Sequence, residues 1–210
     1  SVERLADCDL VFYATPNKTA MHEASFLLDR GTRVIDLAAD FRFSDLAIWE
    51  GIYNGPHGSP ELVSEAVYGL PEKNRCAIKN ARLVGNPGCY PTATLLGLLP
   101  LVELNVIDDC SIIVDGKSGA SGAGREMRSD LMIAETADNF RAYAGSGHRH
   151  GPEMQHQLSN FGSDAVVTFV PHMVPMIRGI EVTIYVPTDL SVEEARSLYQ
   201  QRYDADPMIT

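Results

Sequence analysis

The first forty residues alternate apolar runs with a segment of helical periodicity. An apolar run at 8–14 ends in the turn residues 15–18, a helical pattern covers 19–30, and a second apolar run occupies 32–37. Gly31 stands where a glycine commonly follows a helix. Two strands joined by a single helix pair in parallel through a right-handed crossover. The sequence therefore predicts a parallel α/β sheet, whose ligands bind at the loops that follow its strands.

Glycine and proline are frequent in the middle of the chain. Residues 44–75 read as irregular, apart from a short helix at 60–66. A strand at 82–84 then leads into a helix that opens at Pro91 and is expected to kink or stop near Pro100.

The second half is β-rich, with helices between its strands. Strand patterns occur at 111–115, 166–170 and 179–186. A last helix follows Ser191, with Glu194 at the capping-box position. We therefore expect two domains: residues 1–86 as the α/β part, and residues 87–210 as an α+β part with a mixed or antiparallel sheet.

Composition excludes some classes of function. The 210 residues carry a formal net charge of −11, which disfavours a nucleic-acid partner. No run approaches the roughly 20 apolar residues of a membrane span. The four cysteines form neither a CxxC pair nor a regular framework, which indicates free thiols in a reducing compartment and predicts a cytoplasmic protein.

The motif GNPGCYPTA (85–93) places Cys89 in a tight turn ahead of a helix. Pro91 suits the first turn of that helix, where its missing N–H costs nothing. Unpaired N–H groups and the positive end of the helix dipole favour a thiolate at such a position. A buried, structural cysteine is the alternative interpretation.

Two further motifs carry groups suited to a reactive site. KSGASGAGR (117–125) is a small-residue loop that can let a ligand approach the backbone, although it matches neither a phosphate-binding loop of the Walker type nor a dinucleotide fingerprint. GHRHGPE (147–153) sets two histidines before a helix, and histidine exchanges protons near neutral pH. Its spacing is unusual for zinc, so no metal is predicted. A plain flexible loop or a solvated polar loop is the alternative in each case.

A thiol, a histidine pair and a small-residue loop together indicate acyl transfer through a thioester. These motifs, together with PHMVPMIRGI (171–180), make the chain similar to the N-acetyl-γ-glutamyl-phosphate reductases of arginine biosynthesis along nearly its whole length. The resemblance implies a partial Rossmann-like NADP-binding domain followed by a domain for substrate binding and oligomerisation. It also implies a homodimer or homotetramer.

The resemblance also implies roles for individual residues. Cys89 would be the nucleophile that displaces phosphate from the acyl phosphate, and NADPH would reduce the resulting thioester. His148 would act as acid/base, supported by His150 and Glu153. The substrate would be bound by Asn86, Arg149 and Arg178. The cofactor would contact Thr15, Pro16, Ser118, Ser121, Gly122 and Gly124.

The chain departs from the resembled family at its ends. A glycine-rich strand–turn–helix that would hold the cofactor pyrophosphate is expected before Ser1, and a last helix is expected after Thr210. Other interpretations remain open at this stage. They are an enzyme of the aspartate-semialdehyde dehydrogenase type, a cofactor-free cysteine hydrolase that uses Cys89 and His148, and a catalytically inactive interaction domain.

Overall fold

The computed structural model describes residues 1–107, 110–145 and 147–210. These residues form two compact units, Ser1–Gly88 and Cys89–Thr210. The first unit ends at Gly88, two residues after the domain boundary that the sequence predicts at residue 86. The helices within the described ranges are too short or too polar to span a lipid bilayer.

The first unit is built on a parallel sheet with the strand order β1-β2-β4-β3. Its elements in chain order are α1 (Val2–Leu5), β1 (Leu10–Tyr13), α2 (Ala20–Leu28), β2 (Arg33–Asp36), α3 (Leu46–Tyr53), α4 (Pro60–Val63), β3 (Val67–Tyr68), α5 (Pro71–Asn80) and β4 (Leu83–Gly85). The predicted strand–helix–strand order is confirmed. Gly31, with a φ of +85°, follows α2 as expected.

The core of the first unit gathers the buried side of α2 and the inward residues of the strands. Its buried members include Met21, Leu27, Val34, Trp49 and Leu83. Trp49 comes from α3, a helix that lies in the stretch expected to be irregular. The indole N–H of Trp49 donates to the carbonyl oxygen of Ala39 at 2.9 Å, which ties this helix to the loop after β2.

The second unit is built on a mixed sheet with the strand order β6-β7-β5-β8. β5 pairs in parallel with β7, whereas β8 and β6 pair antiparallel with β5 and β7. Its elements are α6 (Cys89–Glu103), β5 (Ser111–Ser118), α7 (Ile133–Thr136), β6 (Arg141–Ala142), α8 (His150–Asn160), β7 (Val166–Met173), β8 (Ile180–Tyr185) and α9 (Val192–Tyr203). The prediction of a mixed sheet is confirmed.

The two faces of this mixed sheet differ. α6 packs on β8 so closely that a Cβ at Gly97 would lie 2.7 Å from the Cδ1 atom of Ile184. Ile112 and Val114, on the same side of β5 as each other, are fully buried. Residues of the opposite face, such as Ile113 and Tyr185, are exposed. We call this second side the open face of the mixed sheet.

Candidate active site

Cys89 is the first residue of α6, two positions before the start predicted at Pro91. Its side chain is an exposed thiol. Because the first N–H groups of a helix have no partner within the helix, the start of α6 offers hydrogen-bond donors and a partial positive charge to this sulfur. The alternative of a buried, structural cysteine is therefore wrong.

Cys89 opens into a cleft of about 580 Å³ that is built within the second unit. The cleft joins the start of α6, the loop after β5, the β6 region and the start of α8. Its lining includes Cys89, Tyr90, Ser118, Gly122, Glu126, Arg128, Asp130, Arg141, Tyr143, His148, Arg149 and His150. A thiol, an imidazole ring and cationic side chains thus share one space.

The ring of His148 has a defined hydrogen-bonding state. Its Nδ1 accepts the backbone N–H of His150 at 3.1 Å, so the neutral ring carries its proton on Nε2. Burial, followed by the charge of Arg149, lowers the pKa of His148 to about 4. The ring is therefore neutral at physiological pH and offers an Nε2–H as a donor.

Two tyrosines form a hydroxyl chain beside the thiol. The hydroxyl of Tyr143 donates to the hydroxyl of Tyr90 at 3.2 Å, and Tyr90 hydrogen-bonds to Ser118. Burial raises the pKa of both tyrosines, so each keeps its proton. The ring of Tyr90 lies over Gly116 of β5, where a Cβ would come within 2.5 Å of it. Glycine at 116 is therefore what allows Tyr90 to occupy this place.

The small-residue loop after β5 is held by its own backbone. The N–H groups of Gly119, Ala120 and Ser121 donate to carbonyl oxygens of the β7–β8 turn at 3.0–3.1 Å. A Cβ at Gly119 would lie 2.7 Å from the backbone of Ile177, so only glycine permits this contact. Because these N–H groups are already used within the fold, they are not available to a ligand that approaches the backbone here.

The basic residues near the site differ in whether they line the cleft. Arg128, Arg141 and Arg149 line the cleft. Lys117 lies instead on the open face of the mixed sheet, where its Nζ is 2.9 Å from Asp115 and 3.1 Å from Glu181.

The first unit carries the other predicted ligand positions on its strand-end loops. Thr15 and Pro16 follow β1 and are exposed. Asp40, after β2, accepts the backbone N–H groups of Lys18 at 2.8 Å and Met21 at 3.2 Å. Its buried carboxylate therefore joins the two loops that follow β1 and β2.

Asp36 and Asn86 lie at the same edge of the parallel sheet, where β2 and β4 end. Asp36 accepts the N–H groups of Ala38 and Asp40, while burial and the nearby Asp40 carboxylate raise the pKa of Asp36 to about 6. Asn86 lies after β4, where its backbone oxygen accepts the Nε–H of Arg42 at 2.7 Å. Asn86 is thus held in place mainly through its backbone.

Several of the residues predicted from the sequence meet in the cleft. They are Cys89, Ser118, Gly122, His148, Arg149 and His150. Others stand outside the lining: Glu153 is fully buried on α8, Arg178 is exposed on the β7–β8 turn, and Ser121 and Gly124 are exposed on the small-residue loop. Among the described residues, no three side chains of the metal-binding types cluster together.

Sequence reasoning missed Tyr90, Tyr143 and Arg141 as cleft residues. Tyr90 could have been suspected because it follows Cys89 in a helix start. Tyr143 and Arg141 stand in a polar stretch with weak periodicity, so nothing local marks them. The pairing of β6 with β7, where Arg141 stands opposite Met173, brings them to the cleft.

Family models match both parts of the chain. The description "semialdehyde dehydrogenase, NAD binding domain" covers residues 1–81, and "semialdehyde dehydrogenase, dimerisation domain" covers residues 89–210. Between them these models span nearly the whole sequence.

Curated relatives share about half of the residues. The chain is 55% identical over 206 residues to an N-acetyl-gamma-glutamyl-phosphate reductase of Nitrosospira multiformis, which covers 98% of the chain and 60% of that protein. A protein of the same name from Halorhodospira halophila is 52% identical, over 99% of the chain and 60% of the relative. The chain thus spans about 60% of the length of the curated relatives that it matches.

Solved structures share the fold at low identity. Aspartate semialdehyde dehydrogenase II from Vibrio cholerae matches with a TM-score of 0.68 and 17% identity, over 94% of the chain and 61% of that structure. The enzyme of the same class from Candida albicans, solved with NADP, gives 0.62 and 16%, over 91% and 55%.

Proposed function

The chain belongs to the semialdehyde dehydrogenase family, and on that premise we propose that it reduces N-acetyl-γ-glutamyl phosphate to N-acetylglutamate semialdehyde and phosphate. The reaction uses NADPH and is a step of arginine biosynthesis. The observation that carries the proposal is the exposed Cys89 thiol at the start of α6, in one cleft with His148 and Arg149. The names of the relatives, at 55% and 52% identity, support this substrate over aspartyl phosphate.

Cys89 attacks the acyl carbon of the substrate. The Sγ–C bond forms as the bond from the acyl carbon to the phosphate oxygen breaks, which leaves a thioester and releases inorganic phosphate. The N–H groups without a partner at the start of α6 can donate hydrogen bonds to the sulfur during this step. Arg149, exposed at the cleft, offsets the charge of the departing phosphate.

His148 acts through its Nε2–H. Because Nδ1 is occupied by the backbone N–H of His150, the ring can donate from Nε2 to the acyl oxygen as negative charge develops there. In this step His148 therefore acts as the hydrogen-bond donor, which is one part of its acid/base role. His150, which is buried beside it with ring centroids 4.7 Å apart, fixes the position of the ring.

NADPH, when bound, supplies the hydride that converts the thioester to the aldehyde. The exposed residues Thr15 and Pro16 follow a strand of a parallel sheet, which is where such sheets hold nucleotides. In the second unit, Ser118 and Gly122 line the cleft, and Gly122 adds no side chain that would narrow it. These residues fit one end of a nicotinamide cofactor. The Sγ of Cys89 leaves as a thiolate when the aldehyde is released.

A second copy of the chain covers the open face of the mixed sheet. Ile113 and Tyr185 are 48% and 57% exposed there, and Lys117 forms ion pairs with both Asp115 and Glu181 on that face. An apolar patch whose charged groups are paired within the chain suits a self-complementary contact. The family description of residues 89–210 as a dimerisation domain supports a homodimer. The thiols of this protein suit the reducing cytoplasm as its place of action.

The test runs the reaction of the full-length protein in reverse. With N-acetylglutamate semialdehyde and phosphate, NADP⁺ should be reduced, as measured by absorbance of NADPH. Cys89→Ala should abolish the reaction, and His148→Asn should lower turnover about 10²–10⁴-fold. Cys76→Ala, which changes an exposed cysteine of the first unit, is the matched control and should leave the rate unchanged.

Each other outcome points to a different function. A higher kcat/KM for aspartate semialdehyde would support the aspartate-type enzyme. Release of an acid product without any nicotinamide would support a hydrolase. If NADPH forms unchanged after Cys89→Ala, the thioester mechanism is wrong.

A further inference from the structure

We propose that Arg141 binds the α-carboxylate of the substrate and that Asp130 positions its guanidinium, an inference that rests on the proposed function for the identity of the substrate. Arg141 belongs to β6, which is hydrogen-bonded to β7, and its side chain is one-third exposed in the cleft that contains Cys89. It is therefore a charged group on a strand, facing the space where the substrate has to lie.

The cleft lining carries the three cations Arg128, Arg141 and Arg149 against the two acids Glu126 and Asp130, which leaves one cation in excess. Arg128 contacts Asp130 through two bonds, from Nε at 3.0 Å and from Nη2 at 2.7 Å, so these two charges compensate each other. Arg141 instead donates from Nη2 to the backbone oxygen of Asp130 at 2.8 Å, and that nitrogen lies 3.8 Å from the carboxylate. The guanidinium of Arg141 is thus oriented by a neutral carbonyl and keeps further N–H groups for a ligand.

The substrate carries two anionic groups at different distances from the reacting carbon. The phosphate is attached to that carbon, whereas the α-carboxylate lies at the other end of the side chain. Arg149 is adjacent to His148 and lowers its pKa, so its charge acts at the reacting end. Arg141 lies on a different element and remains available to bind the carboxylate. Its planar guanidinium can form two parallel hydrogen bonds to a carboxylate.

The reverse reaction separates the two subsites because phosphate and aldehyde are distinct substrates. Arg141→Gln should raise the KM for N-acetylglutamate semialdehyde about 10- to 100-fold, the usual effect of losing a charge-assisted bond, and leave the KM for phosphate within about threefold. Arg149→Gln should do the opposite. Arg141→Lys should recover part of the loss because it keeps the charge but not the fork.

An aldehyde without the carboxylate provides the chemical control. 4-Acetamidobutanal is the semialdehyde with the α-carboxylate removed. The wild type should use it poorly, and Arg141→Gln should leave its kcat/KM unchanged. Arg196→Gln, an exposed arginine on α9, should change neither substrate's KM.

A binding measurement keeps this inference separate from the proposed function. N-acetyl-L-glutamate should protect Cys89 from iodoacetamide at an at least about tenfold lower concentration than 4-acetamidobutyrate, which lacks the α-carboxylate. Arg141→Gln should remove that difference. This readout needs neither NADP⁺ nor turnover, so it can succeed even if the reductase assay fails.

The inference is overturned if wild type and Arg141→Gln give the same protection by N-acetyl-L-glutamate. It is also overturned if the KM for phosphate rises with that for the aldehyde, because Arg141 would then act on the whole cleft. An active reductase with an unchanged aldehyde KM in Arg141→Gln would leave the proposed function intact and remove only the carboxylate site.

Discussion

The imidazole of His148 packs edge-to-face against aromatic rings, with centroids 5.5 Å away at Phe169 and 5.7 Å away at Tyr143. Such surroundings disfavour a charged ring because they replace water with apolar surface. The adjacent Arg149 adds electrostatic repulsion in the same direction. Both effects destabilise the protonated form of the ring, so protonation of His148 is less favourable in the folded protein than in the unfolded chain.

This conflict predicts a specific pH dependence of stability. A histidine in the unfolded chain titrates near its ordinary pKa of 6.5, whereas the folded pKa of His148 is about 4. Between these values the unfolded chain binds more protons, so the free energy of unfolding falls as pH falls from about 6.5 to about 4. His148→Asn removes this contribution and keeps an oxygen that can accept the His150 N–H.

Urea unfolding of wild type and His148→Asn at pH 7 and pH 4.5 measures the effect. Wild type should lose more stability than the variant on acidification, since the other titrating groups are common to both. His22→Asn is the matched control for replacing a histidine elsewhere, and it should follow the wild type. Equal losses in wild type and His148→Asn would contradict the buried, neutral state of this ring.

Local chemistry in the sequence indicates the candidate reactive residues more clearly than it indicates their surroundings. Cys89 and His148 stand in motifs whose residue types already imply reactivity. The donor state of His148, however, depends on a bond from His150 that forms only when the chain turns into α8. Tyr143 and Arg141 reach the cleft through strand pairing, which a short polar stretch does not reveal.

At the level of elements, α6 shows how a helix can continue past a proline. A kink or stop was expected near Pro100, yet α6 continues to Glu103. Proline at 100 removes the N–H that would bond to the carbonyl of residue 96. The hydroxyl of Tyr203, from α9, donates to that same Leu96 oxygen. A tertiary hydrogen bond thus replaces the missing one, and no local pattern around Pro100 could predict it.

Tyr203→Phe should therefore destabilise the protein by about 1–3 kcal/mol, because it leaves the Leu96 carbonyl without a replacement donor. Tyr199→Phe is the matched control on the same helix. Its hydroxyl donates to the Gly97 carbonyl, which also has the helical N–H of Leu101 within reach. Tyr199→Phe should cost less than Tyr203→Phe in urea unfolding monitored by circular dichroism. Equal costs, or the reverse order, would mean that Pro100 is not compensated through Tyr203.

α3 was missed in the sequence for a related reason. The stretch 44–75 is rich in glycine, proline and aromatic residues, which indicates turns when it is read locally. α3 nevertheless forms because Asp45 caps it, accepting the N–H of Ala47 at 2.8 Å, and because Trp49 is buried in the core. Helices of this kind depend on tertiary burial more than on propensity.

For the molecule as a whole, charge and assembly are linked. The chain carries a net charge of −11, yet Arg128, Arg141 and Arg149 line the cleft, which is where the proposed anionic substrate would bind. In the proposed dimer, the overall repulsion between two copies has to be overcome at their contact. The open face suits this purpose because Lys117 offsets part of the charge of its acids Asp115 and Glu181.

Ile113→Lys places a charge in the middle of that face and should dissociate the proposed dimer. A lysine buried against a second copy would lose its hydration without a partner, a cost large enough to shift the equilibrium by several orders of magnitude. Size-exclusion chromatography with light scattering should give a dimer for wild type and a monomer for the variant. Val192→Lys, which changes a 68% exposed residue on α9, is the control and should remain dimeric. If Ile113→Lys is still a dimer at micromolar concentration, another surface holds the two copies together. If the wild type is a tetramer and the variant a dimer, the open face forms only one of two contacts.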